Sequence, residues 1–211
     1  MTAAFSYVLL LVFAVVRAGV PHNLVSKCKG GKSVHGQVFK NIDGEEVKMS
    51  KYKGSVVLVV NVATFCGYAT QYIEMNALLE KTLKQKLEII GFPCNQFSHM
   101  EPGLNKSEIL NGLKHVRPGN GFVPKIDMME KADVNGKNEL PLFTILKDLC
   151  PSPRNAKYDK MKCTWNPITP RDIMWNFEKF VIDADGVPIF RYLPITTPSA
   201  IIDSLKEQSI L

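Results

Sequence analysis

An α/β sandwich, one central sheet with helices on its faces, is the fold class this sequence predicts. Three observations carry it. Val56-Val57-Leu58-Val59-Val60-Asn61-Val62 is a nearly continuous run of β-branched and aliphatic residues, as expected of a strand covered on both faces. Beyond Gly67 the period changes, with Tyr72, Met75, Leu79 and Leu83 near helical spacing and polar Gln71, Glu74 and Lys81 between them. Leu87-Glu88-Ile89-Ile90-Gly91-Phe92 is a second short apolar strand. Strand, helix, strand in this order makes a βαβ unit with a right-handed crossover.

The remaining elements follow along the chain. Tyr7 to Val16 is an uninterrupted apolar run too short to span a bilayer, followed by the small-residue pattern Val16-Arg17-Ala18. It predicts a secretory signal over residues 1–18, a single domain over 19–211 and an extracellular location. The turn signal Asn41-Ile42-Asp43-Gly44 between Val34–Phe39 and Glu46–Met49 predicts an N-terminal hairpin. Pro93 cannot continue the second strand's ladder, so Cys94 to Gly103 reads as a loop at that strand's carboxyl end, the edge where open α/β sheets bind ligands. Asn105 or Ser107 caps a helix through Leu113, and Pro141 starts another into Leu146. Cys150 to Pro170, rich in Pro, Lys and Asn, reads as a long insertion loop. Phe177–Asp183 and Val187–Tyr192 form a hairpin about Asp185-Gly186, and Pro198 to Gln208 closes the chain as a helix.

Composition narrows the function. The chain carries a formal net charge of +6 over 211 residues, with scattered lysines and no basic run or aromatic-interleaved stripe, so nucleic acid is excluded as a partner. No later segment reaches transmembrane length either, so stable membrane insertion is not expected. The five cysteines, Cys28, Cys66, Cys94, Cys150 and Cys163, include no C-x-x-C, which argues against a thioredoxin-type dithiol and a zinc knuckle; no metal site is expected. In an oxidising compartment Cys150 and Cys163 are placed to bridge a short loop. Asn105-Lys106-Ser107 is the one N-x-S/T sequon, a glycan acceptor in a secreted chain.

Cys66 lies where the first strand pattern gives way to the helical one. There it faces unpaired backbone N–H groups and the positive end of a helix dipole, both of which favour the thiolate. Burial as a small hydrophobe is the competing reading.

Three stretches together resemble the glutathione peroxidase family. They are Asn61-Val62-Ala63-Thr64-Phe65-Cys66-Gly67, Gly91-Phe92-Pro93-Cys94-Asn95-Gln96-Phe97 with Glu101-Pro102-Gly103, and Trp175-Asn176-Phe177-Glu178-Lys179-Phe180. The likeness runs from about Lys32 to Tyr192 and implies a thioredoxin-like fold, a central mixed sheet flanked by helices. It further implies reduction of hydrogen peroxide and organic hydroperoxides by Cys66, with Trp175 and Asn176 as its hydrogen-bonding partners. The family's glutamine falls on Met100, which offers a soft sulfur but no N–H donor. That departure, and cysteine where secreted relatives often carry selenocysteine, imply a slower enzyme. The alternative is a secreted binding or structural protein on the same scaffold.

The resemblance also bears on the reductant. Ser98 to Leu149 contains no cysteine at which thioredoxin-dependent members carry a resolving one, which favours glutathione as an external co-substrate with no further cofactor. Arg117 matches a pocket arginine for glutathione carboxylates, whereas the second arginine cluster is replaced by Leu193-Pro194-Ile195-Thr196. The Cys150–Pro170 insertion resembles the subunit contact of tetrameric secreted members, which implies a homotetramer.

Overall fold

The structure, a computed structural model, describes residues 19–81, 86–153 and 160–211; the expected signal segment 1–18 and the helix position Leu83 lie outside the described residues. Chain order is β1 (Val25–Lys27), β2 (Val38–Lys40), β3 (Glu46–Lys48), β4 (Val56–Val62), α1 (Gln71–Lys81), β5 (Leu87–Pro93), α2 (Lys106–His115), β6 (Asp127–Met128), α3 (Pro141–Leu149), β7 (Lys179–Ile182), β8 (Pro188–Tyr192) and α4 (Pro198–Glu207). The N-terminal hairpin is β2–β3, closed by the Asn41 side chain, whose Oδ1 accepts from the Asp43 and Glu45 amides at 3.0 and 2.9 Å. The other six strands form one mixed sheet in the order β1-β8-β7-β4-β5-β6. β4 pairs parallel with β5 and antiparallel with β7, so the strand leading to Cys66 is central.

β4 is buried at all seven positions and its pleat serves two cores. Val56, Leu58, Val60 and Val62 face α1, α2 and α4 through Tyr72, Met75, Leu113, Ile201 and Leu205. Val57 and Val59 face α3 and the hairpin through Phe143, Leu146, Phe39 and Tyr52. This two-sided burial explains why the run carries no alternation of apolar and polar residues. Asn105 is the residue that caps α2, its Oδ1 accepting from the Glu108 amide at 3.1 Å. Among the described residues of the insertion, a 3-10 turn at Lys160–Lys162 and a bridge between Phe97 and Cys163 are the regular features. No described helix is long and apolar enough to cross a membrane.

The expected Cys150–Cys163 bridge is corrected: Cys150 is bonded to Cys28, 122 residues away. The reason is the path of the N-terminal segment. Cys28 donates its amide to Ile189 at 2.9 Å and Lys29 donates to Leu149 at 2.8 Å, which sets Cys28 against the end of α3. Cys163 is drawn to Phe97 on the other side of the insertion. A cross-link closing so long a loop restricts the unfolded chain strongly. Cys28→Ser is expected to lower unfolding stability by about 2–5 kcal/mol in denaturant titration. Peptide mapping without reductant should recover a Cys28–Cys150 pair, and recovery of Cys150–Cys163 would refute the assignment.

Candidate active site

β4 ends at Val62, and four residues later Cys66 caps a 3-10 turn, Gly67–Thr70, that runs into α1. Its sulfur accepts from the Tyr68 amide at 3.5 Å, so the thiol meets the unpaired amides expected at a helical start. Cys66 is also only 1% exposed, packed with Ala69, Tyr72 and Phe177. The residue is thus both buried and placed at a helical start, with a backbone amide on its sulfur.

Trp175 and Asn176 arrive from the far end of the chain, held by Asn61 in the middle of the sheet. Asn61 Nδ2 donates to the Trp175 carbonyl at 3.0 Å, its Oδ1 accepts from the Glu178 amide at 3.0 Å, and its carbonyl accepts from the Phe177 amide. Phe177 takes a left-handed backbone with φ 65°, unusual for a bulky residue, and the three bonds to Asn61 hold it there. Behind this turn Glu178 and Arg191 form a fully buried ion pair, and Glu178 also accepts from the Met174 amide at 2.9 Å. Arg191 donates further to the carbonyls of Cys150, Arg171 and Asp172. Trp175 packs against the cluster that contains Cys66, with its ring 5.9 Å from that of Phe97.

Met100 belongs to the same site. Its carbonyl accepts from the Phe65 amide at 2.9 Å, and the next residue, buried Glu101, accepts from both the Thr64 amide and hydroxyl at 2.8 Å. Burial pushes the Glu101 carboxyl up, and the Thr64 bonds oppose this. The Glu-Pro-Gly stretch therefore braces the Met100 loop against the Cys66 loop. Gly103 is required there because a Cβ would come within 2.8 Å of Ile109 Cγ1. Asn176 is fully buried, with its Nδ2 3.8 Å from the Met100 sulfur and its Oδ1 without a partner among the described residues. Among the described residues, neither Trp175 nor Asn176 hydrogen-bonds directly to the Cys66 sulfur.

Gln96 does not substitute for the missing glutamine. Its Oε1 accepts from the Val134 and Asn135 amides and its Nε2 donates to the Asn135 carbonyl, so it is engaged in tying loops together. Cys94 is fully buried, and burial pushes its thiol up to about 12, which makes it unreactive. Arg117 lies at the site entrance, its Nη1 donating to the carbonyls of Phe65 at 3.2 Å and Cys66 at 3.5 Å. Phe65 and Ile195 are exposed apolar residues. Asn105 is exposed. No group of three or more side chains suited to a metal ion converges among the described residues. Asn61, Glu178 and Lys179 were not singled out by the sequence reading. Their signal was there, a lone polar residue in an apolar strand and two adjacent charges where another apolar strand begins.

Residues 34–147 match the family model described as glutathione peroxidase, a span that includes Cys66, Met100 and Arg117. An epididymal secretory glutathione peroxidase of Mus musculus is 44% identical over 90% of this chain and 88% of its own length. Glutathione peroxidase 3 of Pongo pygmaeus is 47% identical over 82% of this chain and 77% of its own. Among solved structures, GPX1 of T. cruzi superposes with a TM-score of 0.60 at 28% identity, covering 83% of this chain and 95% of that one. With the thioredoxin-like sheet and the buried junction cysteine already in place, these matches decide the assignment: the chain belongs to the glutathione peroxidase family and is a peroxidase that draws its electrons from thiols.

Proposed function

We propose that Cys66 is the peroxidatic nucleophile of a secreted enzyme that reduces hydrogen peroxide and organic hydroperoxides in the response to oxidative stress. The observation that supports this reading is a buried cysteine sulfur capping a helical start, with Trp175 packed against the same apolar cluster and its carbonyl held by Asn61. The thiolate attacks the terminal peroxide oxygen, forming an S–O bond as the O–O bond breaks, and the departing oxygen leaves as water or alcohol after protonation. The Asn176 amide and the Trp175 indole are the donors available for that oxygen.

The resulting sulfenic acid condenses with a first thiol, releasing water and giving a mixed disulfide that a second thiol reduces. Cys94 is sealed in the core and Cys28 and Cys150 are already bonded, which favours an external thiol, glutathione. Arg117, already anchored beside Cys66, offers its remaining N–H donors to a glutathione carboxylate. Glutathione is the co-substrate, with no resident cofactor. Asn105 is the proposed glycan site: it is exposed, and its cap runs through Oδ1, leaving Nδ2 for the sugar at the loss of one bond to Glu108. The Cys150–Pro170 insertion is the proposed contact of a homotetramer. Light scattering on the secreted protein should give four times the chain mass, and a monomer mass would refute the tetramer.

A peroxide-consumption assay with glutathione and with thioredoxin tests the catalytic reading. Cys66→Ser is expected to lose at least roughly 10³-fold in turnover. Equal consumption by wild type and Cys66→Ser, or none with either reductant, would favour a binding scaffold. Met100 is the feature that favours that second reading, so its effect is measured separately. Met100→Gln restores an N–H donor and gives the Asn176 amide an oxygen acceptor in place of sulfur. It should raise kcat/KM for peroxide by about tenfold or more, the low end of what single donors contribute to developing negative charge. No gain would show that the absent donor does not limit the rate.

A further inference from the structure

We propose that Met100 is a modification site: peroxide oxidises its thioether to one sulfoxide epimer, whose oxygen captures the Asn176 amide and slows the enzyme. The oxidant is the substrate of the family reaction, and its arrival beside Met100 rests on the proposed function of Cys66. Met100 is partly exposed whereas Cys66 is 1% exposed, so of these two sulfurs in one cluster the thioether is the more open. The Met100 carbonyl accepts from the amide of Phe65, the residue before Cys66, at 2.9 Å. Met49, Met75, Met128 and Met129, by contrast, are buried in the core.

The surroundings of Met100 hold its sulfur against a donor. Asn176 Nδ2 lies 3.8 Å from that sulfur, the one hydrogen bond of this side chain among the described residues. Asn176 Oδ1 is buried with no partner there, so the amide has no competing engagement. A thioether is a weak acceptor and leaves the donor underused. The loop cannot readily swing the sulfur away. Glu101 accepts from the Thr64 amide and hydroxyl at 2.8 Å, and Lys131 donates to the Gly103 carbonyl at 2.8 Å.

Oxidation proceeds by attack of a sulfur lone pair on the terminal peroxide oxygen. The S–O bond forms as the O–O bond breaks, and the released hydroxide or alkoxide takes the proton of the transferred hydroxyl. Sulfur loses two electrons, the peroxide gains two, and the products are a sulfoxide and one water or alcohol. The two lone pairs are not equivalent at this position. Oxygen added on the Asn176 side meets an N–H donor and oxygen added on the other side does not, so one epimer is favoured. The sulfoxide is polar where the thioether was apolar, and its oxygen keeps the amide. Asn176 is then lost as a donor to the oxygen that departs when Cys66 reacts.

The test reads the epimers directly and needs no turnover. The full chain carrying Cys66→Ser, which removes the competing thiol, is treated with hydrogen peroxide. Its peptides are incubated with each of the two epimer-specific methionine sulfoxide reductases and read by mass spectrometry. Met100 is expected to show about a tenfold excess of one epimer, the discrimination a single hydrogen bond gives. Met161, 93% exposed, is the internal reference and should give near-equal epimers. Equal epimers at Met100, or an unoxidised Met100 when Met161 is fully converted, would overturn the proposal. Asn176→Ala in the same background should abolish the excess, and an unchanged excess would also overturn it. If near-UV circular dichroism shows that Asn176→Ala does not fold, the comparison of Met100 with Met161 decides alone. For the slowing, wild type is treated with peroxide under excess glutathione, which keeps Cys66 reduced. Its kcat/KM should fall at least roughly tenfold, the low end for loss of one donor. Met100→Leu should keep its own starting rate, and equal fractional losses in the two would refute the slowing. A chain with biased epimers at Met100 but no Cys66-dependent peroxide consumption would refute the nucleophile and leave the modification site standing.

Discussion

One buried amide, Asn61, carries the arrangement on which the candidate site depends. It lies in the central strand five residues before Cys66, and its side chain and carbonyl together bond the backbone of Trp175, Phe177 and Glu178. β4 and the start of β7 are more than a hundred residues apart in sequence, so the contact is non-local and must be specified by geometry. A β-branched residue would extend the apolar run but leave the Glu178 amide and the Trp175 carbonyl without partners, a penalty of about 1–3 kcal/mol for each buried group. It would also release the left-handed backbone at Phe177, between Asn176 and Glu178. The Glu178–Arg191 pair secures the other side of the same turn, so the active-site loop is clamped from the sheet and from behind.

How legible this was in the sequence depended on the range of each interaction. The β4 run, the helical period after Gly67 and the turn at Asn41–Gly44 are local, and they appear as β4, α1 and the β2–β3 hairpin at nearly their expected bounds. Cys66 was legible for the same reason, since a cysteine between a buried strand and a helix is a local signal. Trp175 and Asn176 became legible only through resemblance, because nothing near them in sequence says what they face. The disulfide was misread because short separation was favoured over the N-terminal path, which carries Cys28 across β8 to the end of α3. Lys179 was passed over since a charge in a strand ordinarily points to water, and here the strand is covered on both faces.

Buried charge is the common theme behind the site, and its distribution is informative. Lys147 is met by Glu139, Asp172 and Asn135, and Arg191 by Glu178 and three carbonyls, so these cations are compensated within the protein. Among the described residues Lys179 has carbonyls alone as hydrogen-bond partners. Because burial depresses it below the ordinary lysine range, its charged form opposes folding below about pH 7, and the opposition fades as pH rises from there towards that range.

Met100 leaves the candidate site short of a neutral donor. A thioether cannot donate, and at 3.8 Å it draws the Asn176 amide towards a weak acceptor. The Cys66 sulfur keeps one backbone donor, at 3.5 Å, in a setting otherwise closed to water. Removing hydrogen-bond donors from a buried thiolate raises its free energy steeply, because in a low-dielectric surrounding nothing else solvates it.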